Sequence, residues 1–373
     1  MEINIIGAGP GGSYTAYLLA KKGHSVKVFE KSNTIGKPIQ CTGILSDYFP
    51  KLMKPNNKFV LNIVKKTRIY SPNNKYVETR IKDNFVICRN KFDNYLADLA
   101  KKQGVKYYLD HSFKSFDKKN DQIIIKITNK GGEKTIESDV LVGADGPLSP
   151  VAKAADLYKN RKFLIGTQIE AKLKNKNIVE FYPYLGSYAW IVPVNKNKVR
   201  IGVASYKDSK KIFDSFTREK LGKTWKTIEN QSGIIPIFDP NIRVQKDNIY
   251  LVGDAATFNK TTSGGGINQS LISAEILAES IDNNKNYQGE WKKKMFNKLY
   301  VHMLAHKMME RFTKQDWNYL IKVFSKKDMK KLLYEENRDN IVKMMIKIIS
   351  NKPRLVVKYL KYFPFSELKN YKF

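Results

Sequence analysis

The sequence predicts a mixed α/β fold (α+β in its segregation) in three parts. They are a domain built on a parallel sheet, a second domain built on an antiparallel sheet, and a helical C-terminal region. Three observations predict this. The first 31 residues, MEINIIGAGPGGSYTAYLLAKKGHSVKVFEK, read as strand, glycine turn, small-residue helix, strand and acid. Two later apolar runs end in Gly143-Ala144-Asp145-Gly146 and Gly253-Asp254, with alternating, strand-like stretches between them. The chain from Gln288 onward repeats Met and aromatic residues at helical spacing.

The N-terminal stretch supplies the whole context that a G-x-G-x-x-G needs. Ile3 to Ile6 is the strand, Gly7-Ala8-Gly9-Pro10-Gly11-Gly12 the turn, and Ser13 to Lys22 the helix. Gly7 permits the tight turn, Gly9 lets a pyrophosphate approach the backbone, and Gly12 lets the helix pack close to the sheet. The helix N-terminus offers free N–H groups and partial positive charge to phosphates. Glu30 ends the second strand, about 20 residues beyond the glycines, where a carboxylate accepts hydrogen bonds from ribose hydroxyls. The expectation is dinucleotide binding.

At 373 residues the chain is long enough for two or three units. Its 67 Lys and Arg oppose 35 Asp and Glu, a net charge of +32. That balance predicts attraction to acidic lipid headgroups, nucleic acid or an acidic protein donor; a solvated, lysine-rich surface accounts for it equally. No nucleic-acid-binding signature accompanies the charge, so no nucleic acid partner is expected. Cys41 and Cys88 are the two cysteines and form no C-x-x-C, which suits a reducing compartment. The N-terminus reads as a strand, not a signal peptide, and no apolar run approaches the ~18 residues of a membrane span. The expected location is cytoplasmic, or peripheral on the inner face of the cell membrane.

After Glu30 a loop with turn signals leads to Cys41-Thr42-Gly43. Small residues there let backbone run beside a bulky ligand; as a residue type, Cys41 reads first as a small buried hydrophobe. Thr67–Tyr70 and Tyr76–Thr79 alternate around Pro72-Asn73-Asn74, a hairpin signal. Arg89 precedes a helix predicted from Phe92 to Gln103. Ser187–Pro193 places Tyr188, Trp190 and Val192 on one face of a strand, as core or as a pocket wall. Gly264-Gly265-Gly266 open a helix predicted from Gln269 to about Ile281. The resulting domains are 1–58, 87–160 and 245–285 for the nucleotide; 59–86 and 161–244 for the antiparallel sheet; and 286–373 for the helices. His302 and His306 stand four apart but lack H-E-x-x-H and a third ligand, so no metal is expected. Residues 352–363 alternate cations with bulky apolar groups, which suits an interfacial helix on anionic lipid or a helix packed on the domain.

One dinucleotide fingerprint with a later Gly-Asp strand end, and no second fingerprint, points to FAD rather than NAD. GAGPGGS, Arg89, GADGPLS and GDAA followed by GGGIN resemble the flavoprotein monooxygenase and reductase superfamily with the p-hydroxybenzoate hydroxylase fold. Within it, GKPIQCTG around Cys41 and SYAWIVP resemble the geranylgeranyl reductases, with their flavin-side cysteine loop and Y-x-W-x-F-P sequence. Val192 stands where that family has Phe, and Val194 where it has Lys.

The resemblance implies a Rossmann-like FAD-binding domain beside a substrate sheet. Gly12 and Glu30 would hold the adenosine diphosphate end, and Cys41 and Thr42 would pass the flavin ring. Arg89 would reach the pyrophosphate, with a backbone contact near Phe113. Asp254 would bind the ribityl chain or phosphate. Gly266 and Ile267 would line the pyrimidine edge, and Asp145 would support the cofactor from behind. Tyr188 and Trp190 are the candidate substrate wall; Cys41 is the candidate for tuning or proton delivery. The implied activity is reduction of isolated C=C bonds in geranylgeranyl chains of archaeal-type membrane lipids, using a ferredoxin-like donor or NAD(P)H, at an anionic membrane surface. A flavin hydroxylase of the same fold and an electron-transfer flavoprotein passing electrons to a quinone are the alternatives.

Overall fold

Strand order explains how distant segments meet. In the computed structural model, which describes residues 1–120, 122–336 and 341–368, a six-stranded sheet runs Gln245–Lys246, Ile249–Leu251, Val140–Gly143, Glu2–Ile6, Ser25–Phe29, Lys106–Tyr108. All neighbours are parallel except the 245–251 hairpin at one edge. Ile3, Ile5, Val28, Leu141, Val142 and Leu251 are fully buried, as continuous apolar runs are when both faces of a parallel sheet are covered. Helix Pro10–Lys21 packs between helices Arg89–Lys101 and Ile267–Asp282. A three-stranded antiparallel sheet, Ser112–Lys119, Gln122–Asn129 and Gly132–Ser138, sends Ile123, Ile125 and Ile127 into the same core at period two.

The second sheet has eight strands, ordered Thr227–Pro236, Phe163–Lys172, Lys198–Ser205, Tyr188–Asn195, Val179–Tyr182, Val60–Tyr70, Tyr76–Ile87, Ile44–Leu45. It is antiparallel except where Val179–Tyr182 runs parallel to Val60–Tyr70. The predicted hairpin around residues 72–74 forms the pair Val60–Tyr70 and Tyr76–Ile87. Register fixes which residues share a face: Trp190 lies opposite Gly202, which lies opposite Gln168, and Val192 lies opposite Arg200, which lies opposite Glu170. The alternate positions, Ile169, Ile191, Ile201 and Val203, pack with Phe213 and Phe216 of helix Ser209–Leu221. The polar and aromatic face is therefore left to meet the first domain.

From Tyr287 the chain is helical in the described residues; positions 337–340 and 369–373 of the predicted helical region lie outside them. Tyr287 and Trp291 are fully buried against the first core. Helices Lys314–Phe324, Lys327–Glu335, Ile341–Asn351 and Pro353–Leu360 surround a separate apolar cluster containing Val323, Met329, Leu332, Ile348, Leu355 and Tyr359. Among the described residues no helix is long and apolar enough to cross a membrane.

Candidate active site

The carboxyl ends of three adjacent parallel strands deliver Gly7, Gly143–Asp145 and Gly253–Asp254 to one edge of the six-stranded sheet, the edge where ligands of open α/β sheets bind. Gly7 has φ +104°, and a side chain there would overlap the Ala144 carbonyl. A Cβ on Gly12 would run into the Gly7 carbonyl oxygen. A Cβ on Gly9, by contrast, meets open space. The turn is thus tight at its ends and open in the middle, beside the N-terminus of helix Pro10–Lys21. Gly11 of this helix packs near Ser270, on helix Ile267–Asp282, bringing the starts of the two helices together.

Glu30 receives the Ala8 and Ser32 N–H groups at 2.8 and 2.9 Å, one on each carboxylate oxygen. Each oxygen keeps a lone pair for a hydroxyl donor. Phe113 lies on the Glu30 side: His111, two residues before it, donates its backbone N–H to the Glu30 carbonyl at 2.9 Å. Phe113 itself pairs with Ile127 and packs against the first core.

Arg89 opens its helix and forks onto Asp93, Nε to Oδ1 at 3.0 Å and Nη2 to Oδ2 at 2.8 Å. Burial opposes the guanidinium charge, but Asp93 and the neighbouring Cys41 side chain more than offset it and raise its pKa. Asp254 feels the same cation. Burial pushes the Asp254 carboxyl up to about 6, against the downward pull of Arg89 and Arg161. Gly266 abuts it: a Cβ there would sit 3.0 Å from Asp254 Oδ1. Ile267 follows as the first residue of its helix. Asp145 takes the Val151 N–H at 2.9 Å and so braces the turn behind the glycine loop. Cys41 Sγ accepts the Gly43 N–H at 3.3 Å.

On the sheet side Thr42 Oγ1 donates to Gln168 Oε1 at 2.6 Å, and Trp190 Nε1 donates to the same oxygen at 2.8 Å. The Tyr188 ring stacks on Phe181 at 5.9 Å between centroids and lies tilted against Trp190 at 5.8 Å. Its hydroxyl lies 2.5 Å from where a Cβ on Gly264 would be, so the candidate wall touches the glycine loop. Burial raises the Tyr188 pKa, which keeps the phenol neutral at physiological pH.

Three positioning residues escape a motif reading. Arg161, nearly buried, donates to the Pro147 carbonyl at 3.1 Å and the Ala255 carbonyl at 2.8 Å, tying the two Asp-bearing strand ends together. Arg200 donates to the carbonyls of Thr42 at 2.6 Å and Ile87 at 2.9 Å, and pairs with Glu170 at 3.2 Å. Gln168 ties Thr42 to Trp190. The signal for the last two is a polar side chain inside an otherwise apolar strand, VRIGVA and LIGTQIEA, which is informative only once its inward face is known. His302 and His306 go to different partners: His302 Nδ1 lies 2.7 Å from Thr262 Oγ1, and His306 Nε2 lies 3.2 Å from both Tyr206 and Glu310.

The arrangement fits a flavin dinucleotide. On and against the segment around Gly264–Gly266, Tyr188 Oη, Asn259 Oδ1, Thr261 Oγ1 and Asn268 Oδ1 are buried without a hydrogen-bond partner among the described residues, and orphaned polar atoms of that kind call for a ligand. Related proteins point the same way. The FAD binding domain family matches residues 1–290. The digeranylgeranylglycerophospholipid reductase of Methanocaldococcus jannaschii is 30% identical, over 97% of each chain. A geranylgeranyl bacteriochlorophyll reductase-like protein from Thermoplasma acidophilum superposes with a TM-score of 0.84 at 22% identity, over 97% of this chain and 99% of that one. The flavin-dependent halogenase CmlS shares the fold at a TM-score of 0.63 and 17% identity, over 95% and 78%.

The chain belongs to the FAD-binding superfamily of oxidoreductases and, within it, to the geranylgeranyl reductase family. It is a FAD-dependent oxidoreductase.

Proposed function

We propose that this protein saturates isolated C=C bonds in the geranylgeranyl chains of archaeal-type glycerophospholipids. The observation that carries the proposal is the junction of Thr42, Gln168 and Trp190. It joins Trp190 of the eight-stranded sheet to the Cys41–Gly43 loop, which in this reading passes beside the flavin. The kinship with named digeranylgeranylglycerophospholipid reductases supplies the substrate class.

When bound and reduced, FAD supplies hydride chemistry. The chain's own residues hold and exclude. Gly9, open between the tightly packed Gly7 and Gly12, would leave room for the diphosphate at a helix N-terminus, and Glu30 would hold a ribose. Arg89 would reach the pyrophosphate, and Asp254 the ribityl chain or phosphate. Ile267 and Gly266 would line the pyrimidine edge of the ring, and Asp145 holds the supporting turn. Tyr188 and Trp190 give the prenyl chain a dry wall, which matters because an isolated alkene is a poor base and must be held in line with water excluded. Each saturated bond takes up one hydride and one proton. Cys41 is the candidate for tuning or proton delivery: Cys41→Ser is expected to slow alkene reduction, measured by single turnover, with FAD still bound. The electrons come from a ferredoxin-like protein or NAD(P)H, and the net charge of +32 suits an acidic donor.

Mass spectrometry of prenyl lipids incubated with the protein and dithionite tests the function. Mass gains in steps of two hydrogens are expected. Added oxygen under aerobic conditions would select the hydroxylase instead, and unchanged lipid with quinone reduction would select electron transfer.

A further inference from the structure

We propose that helices Ile341–Asn351 and Pro353–Leu360 form a docking surface for an anionic lipid bilayer. Both helices bury one side in the same cluster, through Ile348 on the first and Leu355 and Tyr359 on the second. Their opposite sides are apolar and exposed. Ile346 is 60% exposed and Val357 72%, and Ile349 and Leu360 are exposed beside them. Val357 sits two residues from both Leu355 and Tyr359, about 200° around the helix from each, so it points directly away from the cluster. Phe365 and Leu368, just beyond, are exposed as well.

The charges fall into two groups. Lys343 and Lys347 pair with Glu336, and Lys352 pairs with Asp328, which secures the helices to the segment before them. Arg354, Lys358 and Lys361 are exposed and make no ion pair among the described residues, Lys358 and Lys361 lying over the Tyr319 and Tyr362 rings at 3.6 and 4.8 Å. Their spacing of four and three places them in one line along the second helix and its capping residue Lys361. Pro353, Val357 and Leu360 form a parallel line one residue earlier, so a cation stripe runs beside an apolar one. That is the pattern of a helix lying in an interface, apolar residues in the acyl boundary and cations at the headgroups.

Charge selects the occupant. Residues 341–373 contain eight Lys and Arg and one acid, Glu367. A second copy seated on this face would set like charges against each other, whereas an anionic headgroup layer is complementary to them. The stripes are short, so binding is expected to be reversible and dependent on charge.

The test is co-sedimentation of the full-length, FAD-loaded protein with vesicles of phosphatidylcholine alone or mixed with phosphatidylglycerol. The wild type is expected to bind the mixed vesicles and to be released by salt. Ile346→Asp with Val357→Asp, and separately Arg354→Gln with Lys358→Gln and Lys361→Gln, are each expected to weaken partitioning roughly tenfold or more. Flavin absorbance and melting temperature are expected to stay unchanged, which separates lost docking from lost fold. The proposal is overturned if the wild type ignores the mixed vesicles, if it binds neutral vesicles equally well, if both variants bind as the wild type does, or if sedimentation shows a dimer that the aspartates split. No prenyl substrate enters this assay, so it can fail while the reductase reading stands.

Discussion

The two sides of the cleft are built by opposite means. On the nucleotide side the shape comes from backbone: a glycine turn, two adjoining helix starts and three strand ends, with Gly12 pressed so close to Gly7 that no side chain fits between them. On the sheet side the shape comes from long side chains that cross between strands and loops, Gln168 reaching Thr42 and Trp190, and Arg200 reaching Thr42 and Ile87. Backbone recognition needs a continuous stretch of chain with particular residues missing a Cβ. Side-chain recognition needs only register, and can draw on residues more than a hundred positions apart.

That contrast predicts different failures. The largest is expected at Gly12→Val, where the new side chain overlaps the Gly7 carbonyl; the domain should lose more than about 3 kcal/mol and emerge without flavin, read by absorbance and thermal unfolding. If this variant stayed yellow and stable, the backbone account of the nucleotide side would break. Next is Arg200→Met. It strips the Thr42 loop carbonyl and the Ile87 strand-end carbonyl of a buried donor and takes from Glu170 one of its two cations, the other being Lys198, at a cost of about 3 kcal/mol. FAD should also dissociate faster, because the Thr42 loop loses its anchor.

Asp254→Asn is an intermediate case with a pH signature. The native carboxyl has its pKa raised to about 6 from an ordinary 3.8. In the flavin-free protein its contribution to stability is therefore greatest below the ordinary value and is lost as pH rises through about 6. The asparagine variant should be the more stable of the two at pH 7, by on the order of 1–3 kcal/mol, with the gap closing near pH 4. Thermal melts across that range measure it. A constant gap would show that Asp254 ionises as it would in water. The smallest effect belongs to Trp190→Phe, which removes one hydrogen bond to Gln168 and costs about 1 kcal/mol. Its expected result is slower prenyl reduction with unchanged FAD affinity, and a fall in both would show that the Gln168 junction couples the two sides energetically.

By itself the sequence determined the cofactor class and the mixed α/β architecture. A dinucleotide turn is local: strand, glycines, helix and acid occupy the first 30 residues, and each residue type there has a steric or electrostatic reason legible without any partner. Helix starts were harder to read. Arg89–Lys101 begins three residues before the predicted Phe92, and Ile267–Asp282 two before Gln269, because polar and glycine-rich first turns carry no apolar period. Tertiary structure alone decided that Arg161 would clasp the two aspartate-bearing strand ends, and that Gln168 and Arg200 would face the Cys41–Gly43 loop. A one-residue change of register would turn Gln168 and Arg200 to the helix side of the sheet, and strand pairing across the sheet, not the local pattern, sets that register.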